Sequence, residues 1–592
     1  MTNYISGTAI RNYILKDPLL DWLELYAPTE LQNPVGVVDE EEYLCGAGNN
    51  FERDIVDKIR SIFPEMITIN KDGRQGYTKL NFEKTKLAMA QKIPIIDQAV
   101  LFNDKNETCG IADLLVRNDY VNKLVDHHLY LPTFYDTTQQ DGNVPKHYYV
   151  VVDIKYTTLS LTKDNLHIRN TGRIPSYKTQ LYIYNTALAE IQGFNPMMAL
   201  ILAKGYKNVI STDTFEQYGV IDFHENDQWV EHETQLAINW MKDLRQHGSS
   251  WNPMKPHRWE LYPNMSNHYD GKWSQYKRKI AIEIGELTLL WNVGFKNRMY
   301  AFQQGIFSFK DERCTAEILD IKSKTYCDII NRMILVNKHD FILMSYKQSP
   351  ILALNDENEM NGINYFVDFE TVDGVVFMIG VGHDVDGEWK YAVFKCNEIT
   401  LAEEVRIFNE FNRYVKFNSP YGSRHRNKFY HWSSAEITNC AHFLERLINK
   451  CREDLGMNEN MNEEDTCSGC HHDDDEGEDL DIGSIDVSFL IKNDWCDLYK
   501  IFIDCGFVIN GSFDFKLKSV TNALTTLRLI NCRWSETGPH TGFEALIMAK
   551  QYYSLDKSDR NVDNMNMIEQ YNEIDCKSLY SIYNFLSKLS TI

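Results

Sequence analysis

Two short runs in this 592-residue sequence place charged side chains at alternate positions within apolar surroundings. The run VVDIKYTTL carries Asp153 and Lys155, and the run YFVDFETV carries Asp368 and Glu370. Because side chains alternate between the two faces of a β-strand, each pair projects from a single face. Carboxylates grouped in this way can hold Mg²⁺ or Mn²⁺, and a lysine beside them can orient or help deprotonate the attacking water and offset charge on a phosphate. The runs therefore predict metal-dependent phosphoryl chemistry, and the ordinary alternative is an edge strand whose polar face meets solvent.

Only the first pair includes a lysine, and further candidates lie on both sides of it. Glu52 falls on a predicted helix and Asp113 lies in GIAD after a predicted strand turn, so up to three carboxylates could converge on one ion. Gln180 and Tyr184 are four residues apart in QLYIY and share one face of the next predicted helix. A D-x-K pair alone occurs by chance in most chains of this length, so the order of the elements gives it weight.

The elements that must position these residues alternate between helix and strand. The segment 50–63 has apolar residues at helical spacing, and the predicted strands 99–102 and 111–117 flank the polar turn NDKNETCG. A strand through VVVDIK, a helix ending near Gly193 and a strand through MALILAKGY follow. The order helix, hairpin, strand, helix, strand predicts a mixed α/β layer structure.

Four motifs, FE at 51–52, GIAD at 110–113, DIK at 153–155 and QLYIY at 180–184, resemble the successive motifs of the PD-(D/E)XK superfamily. The likeness is to the RecB-like branch, with its lambda exonuclease-type and CRISPR-associated members, and covers about residues 45–210. An Asp stands where many members have Glu before x-K. The resemblance implies a restriction-endonuclease-like core with metal ligands Glu52, Asp113 and Asp153, the catalytic Lys155, and Gln180 with Tyr184 placing the substrate strand.

The D-x-E strand is similar to the first motif of RNase H-like exonucleases of the DEDD type. Tyr571 and Asp575 match their Y-x-x-x-D element, and His431 with Glu436 lies where related enzymes have H-N-x-x-F-D. Glu436 therefore replaces the usual Asp, and Asp486 in SIDVSFL is an alternative source of that carboxylate. Because two-metal chemistry tolerates little error in ligand position, the second site is either a working 3′ to 5′ exonuclease or a nucleic-acid-binding relic.

Other metal sites are not expected. CRISPR-associated relatives carry four cysteines for an iron-sulfur cluster, whereas only Cys45 and Cys109 precede residue 300 here. The run CSGCHH at 467–472 has zinc-ligand types, but adjacent ligands in a polar loop rarely close a tetrahedral site. The 13 scattered cysteines fit reduced thiols better than a disulfide framework.

We expect an α/β multidomain protein with three regions. They are a RecB-like nuclease domain over 1–265, a helical connector over 266–350 and an RNase H-like domain over 351–592. An acidic insertion at about 455–483 is predicted to be disordered, because it has few large apolar residues. The fusion resembles a bacterial family of fused nucleases and is similar to RecB-like nucleases of giant DNA viruses of the mimivirus type, which implies a viral protein in the host cytoplasm.

Charge and hydropathy restrict the partners. The formal net charge is −23, and ten of the acidic residues lie in 463–481, but the rest of the chain is still acidic. Any DNA-binding surface must therefore be a local basic patch or use bound cations, and YKRKIAIE at 276–283 is one candidate, although a solvated helix face is the more ordinary interpretation. No run of about eighteen apolar residues predicts a membrane span, and no secretory pattern opens the chain, so we expect an intracellular protein.

The leading hypothesis is a Mg²⁺- or Mn²⁺-dependent deoxyribonuclease, an exonuclease with a further endonuclease capacity, that acts through Asp113, Asp153 and Lys155. One alternative is a catalytically inactive nucleic-acid-binding assembly protein. Another is a nuclease that works mainly through its C-terminal DEDD site. The expected partner is single- or double-stranded DNA, and a homo-oligomer such as a dimer would be unsurprising for this class.

Overall fold

A computed structural model describes residues 4–33, 40–126, 129, 145–207, 214–339, 342–345, 362–419, 427–454, 494–535, 538–539 and 541–589. The chain forms two compact α/β units, Met1–Thr288 and Leu289–Ile592, which confirms the predicted α/β multidomain class. The boundary falls within the segment predicted as a helical connector. The three-region division itself stays a prediction.

The first unit alternates helices and strands. Its described strands are β1 (Ile5–Ser6), β2 (Ile67–Thr68), β3 (Ile95–Asn103), β4 (Thr108–Arg117), β5 (Tyr149–Ser160), β6 (Met198–Lys207) and β7 (Gly219–Asp222). Its described helices are α1 (Arg11–Ile14), α2 (Leu19–Tyr26), α3 (Glu40–Ile62), α4 (Lys79–Ala90), α5 (Asn118–Val121), α6 (Ile174–Gln192), α7 (Trp229–His247) and α8 (Ser274–Ile284). The predicted order helix, hairpin, strand, helix, strand is confirmed by α3, β3 with β4, β5, α6 and β6.

One mixed sheet forms the core of this unit, in the order β2-β3-β4-β5-β6-β7. Strands β3, β4 and β5 are antiparallel neighbours, and β6 runs parallel to β5. Val151 on one face of β5 belongs to the apolar core that includes Ile183 of α6 and Ile238 of α7. Val152 on the other face packs in the core that includes Ile59 of α3. Burial of apolar side chains on both faces explains why β5 reads as an almost continuous apolar run.

Strands β4 and β5 separate next to the two predicted acidic positions. Their pairing extends over Leu114–Arg117 and Tyr149–Val152, and it stops just before Asp113 and Asp153. Beyond this point β5 continues along β6, whereas the first residues of β4 pair with β1. The strands thus open where the side chains at 113 and 153 need space.

Two glycines end helices in this unit by adopting a left-handed backbone that disfavours any Cβ. Gly193 has φ 66° and closes α6, as predicted. Gly285 has φ 67° and ends α8 at Ile284. A short 3₁₀ turn at Leu287–Leu289 follows.

The second unit contains a five-stranded sheet and a separate two-stranded one. Its described strands are β8 (Leu343–Met344), β9 (Asn364–Val372), β10 (Val375–Val385), β11 (Glu388–Lys395), β12 (Lys428–His431), β13 (Asp494–Asp497) and β14 (Val508–Ile509). Its described helices are α9 (Phe295–Gln303), α10 (Lys324–Lys338), α11 (Leu401–Asn418), α12 (Ala435–Asp454), α13 (Leu498–Cys505), α14 (Leu517–Thr526), α15 (Gly542–Tyr553) and α16 (Val562–Leu589).

The larger sheet of this unit has the order β11-β10-β9-β12-β13. Strands β9, β10 and β11 form an antiparallel meander, β12 runs parallel to β9, and β13 runs parallel to β12. Two Asp-Gly turns close the meander, at Asp373-Gly374 and Asp386-Gly387, with positive φ at all four residues. Two-residue hairpins need this backbone, and Asp-Gly provides it at little cost. Helix α16 packs across β9 and β10 and so brings its side chains to the centre of the sheet.

The candidate basic patch YKRKIAIE does not present all of its cations to solvent. Lys277 on α8 is fully buried, and its Nζ lies 2.9 Å from Oδ2 of Asp17 and 2.9 Å from Oδ2 of Asp270. It also donates to the carbonyl oxygens of Asn264 (3.1 Å) and Asn267 (2.9 Å). Lys277 is therefore neither a solvent-exposed cation nor a phosphate contact. Its ion pairs and hydrogen bonds instead join three segments of the first unit.

Replacing Lys277 with Met should lower the free energy of unfolding by about 3–5 kcal/mol, because the buried carboxylate of Asp17 would lose its cation. Urea denaturation would measure this change. The matched control is Lys272→Met, since Lys272 pairs with the exposed Glu24 at 3.0 Å and should contribute less than about 1 kcal/mol. Equal effects of the two substitutions would contradict the buried-pair interpretation.

Candidate functional site

The first centre consists of four predicted residues, Glu52, Asp113, Asp153 and Lys155, at the point where β4 and β5 separate. Asp153 is fully buried, and its Oδ2 forms an ion pair with Nζ of Lys155 two residues along the same strand. The amide nitrogen of Ile154 donates to Oδ2 of Asp113 at 2.9 Å. This hydrogen bond connects the two strands where their ladder has ended.

Glu52 enters the first centre from α3 and is oriented by a residue that sequence reasoning missed. Nε2 of Gln98 donates to Oε1 of Glu52 at 2.6 Å. Gln98 lies within β3 but has φ 52°, a conformation that is uncommon for a residue with a side chain. In the strand register it falls between the pairs that join Asp97 to Leu114 and Ala99 to Ala112, which places it across from Asp113. Strained backbone of this kind is often retained at functional sites.

The carboxylates of the first centre disfavour one another's charged forms. Burial, with Asp153 and Glu52 adding to it, raises the pKa of Asp113 well above its ordinary value. Burial and Asp153 likewise raise the pKa of Glu52. Burial alone would lower the pKa of Lys155, but Asp153 and Asp113 outweigh it and raise that pKa. The neighbouring carboxylates therefore favour the charged form of Lys155, whereas burial and mutual repulsion disfavour the charged forms of Asp113 and Glu52.

Asp153 indicates where further positive charge would bind. Its Oδ1 is buried and accepts no hydrogen bond from the residues that the structure describes. A buried carboxylate oxygen without a partner is costly unless a cation or proton satisfies it. The oxygens of Glu52, Asp113 and Asp153 are of the hard type that Mg²⁺ and Mn²⁺ prefer, although these three residues are not a group of described side chains whose ligand atoms all lie within 4.8 Å of one another.

Helix α6 brings both remaining predicted residues to the first centre. Nε2 of Gln180 donates to the hydroxyl of Tyr184 at 2.8 Å. Burial is the main cause of the raised pKa of Tyr184, and Asp153 contributes to it, which places the phenol near the acidic group. A Cβ added at Gly110 would lie 2.0 Å from Cε1 of Tyr184, so the glycine of GIAD leaves space for this ring. Tyr177 on the same helix places its ring centre 5.3 Å from Nζ of Lys155.

The second centre consists of Asp368 and Glu370 on β9 and Asp575 on α16. Each offers a carboxylate oxygen, and these oxygens lie within 4.8 Å of one another. Within the described ranges, no other group of three or more His, Cys, Asp or Glu side chains has this spacing. The structure thus brings together three residues that the sequence placed in one site, although about 200 residues separate the strand from the helix.

Of the other residues predicted for the second site, His431, Glu436 and Tyr571 are described by the structure and lie near the acidic group. Glu436 on α12 is near enough to contribute to the raised pKa of Asp368, and its Oε2 lies 3.3 Å from Nδ1 of His431. Tyr571 lies one turn before Asp575 and hydrogen-bonds to it, and burial together with that carboxylate raises the pKa of the phenol. The alternative ligand Asp486, the acidic insertion and CSGCHH lie outside the described residues.

Burial and mutual repulsion hold protons on the second centre. They raise the pKa of Asp368 well above its ordinary value, with Asp575 and Glu370 as the main neighbouring charges. Burial and Asp575 raise the pKa of Glu370 to about 8. Burial raises the pKa of Asp575 to about 7, although Lys518 partly offsets this shift. A carboxyl cluster with such values is suited to exchange its protons for a metal ion near neutral pH.

Asn572 is a second residue that sequence reasoning missed. Its Nδ2 donates to Oδ2 of Asp368 at 2.8 Å and to the carbonyl oxygen of Asp368 at 3.2 Å, and its Oδ1 accepts from the hydroxyl of Tyr391 at 2.9 Å. Gly380 pairs with Asp368 across β9 and β10, and an added Cβ there would lie 1.6 Å from Oδ1 of Asn572. The sequence did contain a signal for Asn572, because this residue lies three positions before Asp575 and so shares its helix face.

The second centre also has a lysine, which the strand pattern alone could not indicate. Lys518 on α14 places Nζ 4.8 Å from the ring centre of Tyr571 and 5.0 Å from that of Trp534. Nε1 of Trp534 donates to Oδ1 of Asp575 at 3.1 Å. Burial lowers the pKa of Lys518, whereas Asp575 and Glu370 favour its charged form. Cation–π contacts with two rings fix this cation beside the acidic cluster.

No protein-family model matches the chain, and neither does any protein among those with curated descriptions. The resemblance to the two nuclease families therefore depends on the residues and their arrangement. In the parts of the chain that the structure describes, every helix is too short or too polar to cross a lipid bilayer.

The raised pKa values of the second centre predict a pH dependence of stability in metal-free protein. The carboxyls have ordinary pKa values near 4 when unfolded, so between about pH 4 and pH 8 the folded state holds protons that the unfolded state has released. Stability should consequently fall as pH rises through this window. Thermal unfolding in EDTA at pH 5 and pH 8 should show a smaller fall for Asp575→Asn than for the wild type.

Asp373→Asn is the matched control for this measurement, because Asp373 lies in an exposed hairpin turn outside the centre. It should retain the wild-type dependence on pH. The same dependence in Asp575→Asn would show that the second centre does not bind excess protons in the folded state.

Proposed function

We propose that the protein is a Mg²⁺- or Mn²⁺-dependent nuclease that hydrolyses phosphodiester bonds in DNA. The observation that carries the proposal is the convergence of a D-x-K strand with an acidic helix, an acidic strand and a Q-x-x-x-Y helix in the first centre. The residues concerned are Glu52, Asp113, Asp153, Lys155, Gln180 and Tyr184. Their order along the chain is the motif order of the nuclease family that the sequence resembles, and coincidence rarely brings six separated residues together.

The fold of each unit supports the same proposal. The order α3, β3, β4, β5, α6, β6, with β6 parallel to β5, is the order expected for a PD-(D/E)XK core. In the second unit, an antiparallel meander that continues into two parallel strands is the arrangement expected for an RNase H-like domain. Because one fold serves many functions, this likeness supports the proposal only together with the two centres.

In the first centre, Glu52, Asp113 and Asp153 would hold the ion. When bound, Mg²⁺ or Mn²⁺ supplies Lewis-acid polarisation of a phosphate oxygen and neutralises developing charge. The ammonium of Lys155, held by Asp153, stabilises the additional negative charge on phosphorus-bound oxygens in the transition state. Its position against Asp153 also allows Lys155 to orient or help deprotonate the attacking water.

The second centre supports a further candidate function, 3′ to 5′ exonuclease activity. The favouring observation is the 4.8 Å grouping of the oxygens of Asp368, Glu370 and Asp575, which fits one or more divalent ions. Tyr571 is held by its hydrogen bond to Asp575, from which its hydroxyl can position a water or a phosphate. Lys518 supplies an additional cation that can offset charge on the reacting phosphate.

The rival is a nucleic-acid-binding assembly protein in which both centres have lost catalysis. Incubation of the full chain with labelled linear and circular DNA, with Mn²⁺ or with EDTA, separates the two functions. Cleavage that requires Mn²⁺ supports the nuclease, whereas binding without cleavage supports the rival. Cutting of circular DNA would identify internal cleavage.

Asp153→Asn and Lys155→Met should each lower Mn²⁺-dependent DNA cleavage by at least about 100-fold, because each removes a group that stabilises the reacting phosphate or its ion. Initial cleavage rates on linear DNA, measured in an Asp575→Asn background that removes the second candidate centre, would give the loss, and circular dichroism would verify the fold. The control is Lys204→Met, which removes an exposed lysine from the neighbouring strand β6, where Nζ donates to the hydroxyl of Tyr156. Full activity in both centre variants would refute the assignment.

The contribution of the second centre can be measured separately in an Asp153→Asn background. A single strand labelled at its 5′ end should lose nucleotides stepwise from its 3′ end, and Asp575→Asn should slow this shortening by at least about 100-fold. Asp373→Asn, outside the centre, should leave the rate unchanged. If shortening is already absent in the background variant, all hydrolysis belongs to the first centre.

A further inference from the structure

A basic groove lies in the second unit between the end of α14 and the last turns of α16. Its volume is about 610 Å³, and its lining includes Arg528, Arg533 and Lys588 together with the rings of Tyr580 and Phe585. None of the described residues that line it is acidic. Such a concentration of cations is unexpected in a chain whose net charge is −23.

The two arginines of the basic groove are available for a ligand. No residue in the described ranges forms an ion pair or a side-chain hydrogen bond with the guanidinium of Arg528 or Arg533. A different cavity of the same unit, of about 730 Å³, shows the contrast, because its Arg406 is bound by Glu403 at 2.8 Å and Glu410 at 2.9 Å. Unpaired guanidinium groups in a concave surface favour anionic ligands, and above all phosphates.

Arg528 also occupies an unfavourable backbone conformation. It follows α14 with φ 59°, at a helix end where glycine or asparagine is usual. A side chain at this angle is disfavoured, and such positions are concentrated at functional sites. Arg528 therefore combines a strained backbone conformation with a guanidinium group at the wall of the basic groove.

The basic groove continues toward the second centre. Arg533 also lines a smaller pocket of about 250 Å³, whose wall includes Trp534 and Tyr571. Trp534 donates to Asp575, and Tyr571 hydrogen-bonds to the same carboxylate. A ligand that occupies both cavities would therefore extend from the cations of the groove to the acidic cluster.

We propose that the basic groove binds one strand of nucleic acid and directs its end to the second centre. Arg528, Arg533 and Lys588 would contact successive phosphates, and Tyr580 and Phe585 would stack on bases. A single strand is the fitting occupant because only unpaired bases can present their faces to these rings. The delivery of the strand end rests on the proposed exonuclease function, whereas binding in the groove does not require hydrolysis.

The test is binding of fluorescent (dT)12 and (rU)12 to the full chain, with Ca²⁺ in place of Mg²⁺ to limit cleavage. The double substitution Arg528→Asn with Arg533→Gln should weaken binding by at least about tenfold, because two charge-assisted contacts are lost. The salt dependence of log K should decrease by about 1.4, since a single strand releases about 0.7 counterion for each phosphate contact. Asparagine tolerates the left-handed conformation, so the fold should be retained and thermal unfolding will verify it.

Lys557→Gln is the matched control, because it removes an exposed cation of the same unit that pairs with Glu398 outside the groove. It should leave affinity and salt dependence unchanged. A second measurement locates the strand, because the first unit could bind the same oligonucleotide. Photo-crosslinking with 4-thiothymidine followed by mass spectrometry should identify Tyr580 or Phe585.

Unchanged affinity in the double variant, with crosslinks elsewhere, would overturn the proposal. An equal loss of affinity for a duplex of the same length would overturn the assignment of a single strand. Similar losses for (dT)12 and (rU)12 are expected if phosphates and base faces dominate binding. If the groove variants lose binding but the wild-type protein never cleaves, the groove assignment is supported and the proposed nuclease function fails.

Discussion

Carboxylates that are removed from water lose their hydration and repel one another, and this constraint governs both centres. Each centre gathers at least three of them, and in each the raised pKa values record the resulting cost. A fixed ammonium reduces the repulsion only in part. Lys155 comes from the same strand as its partner Asp153, whereas Lys518 comes from a separate helix and is held by two aromatic rings. A divalent cation that displaces the bound protons would relieve the remaining repulsion, which is the basis of the metal sites proposed for both centres.

The scaffold meets this constraint by interrupting regular structure where the charges lie. In the first unit, the β4–β5 ladder ends just before the acidic positions, and a neighbouring strand carries Gln98 in a left-handed conformation. In the second unit the register of β9 and β10 shifts between Val376 and Met378, next to the pair of Met378 with Glu370, and Gly380 omits a side chain opposite Asp368 so that Asn572 can approach. In both cases local stability is reduced in order to place a polar group at a carboxylate.

The sequence predicted the features that depend on local periodicity. Alternation along a strand identified the pairs at 153/155 and 368/370, and helical spacing identified 180/184 and 571/575. The element order of the first unit followed from the same patterns. Lys518, Trp534 and Gln98 could not be found in this way, because their roles depend on contacts between distant segments or on a single backbone angle. Lys277 was misjudged for a related reason, since helical periodicity gave no sign that Asp17 and Asp270 would enclose it.

The contact between Gly110 and Tyr184 has a consequence for recognising related proteins. The ring occupies the volume that any β-carbon at 110 would need, and its hydroxyl is held by Gln180, so the ring has little freedom to withdraw. The two positions therefore form one steric unit rather than two independent choices. In a family of homologous sequences they should covary, with a residue larger than glycine at 110 accompanied by a side chain smaller than tyrosine at 184.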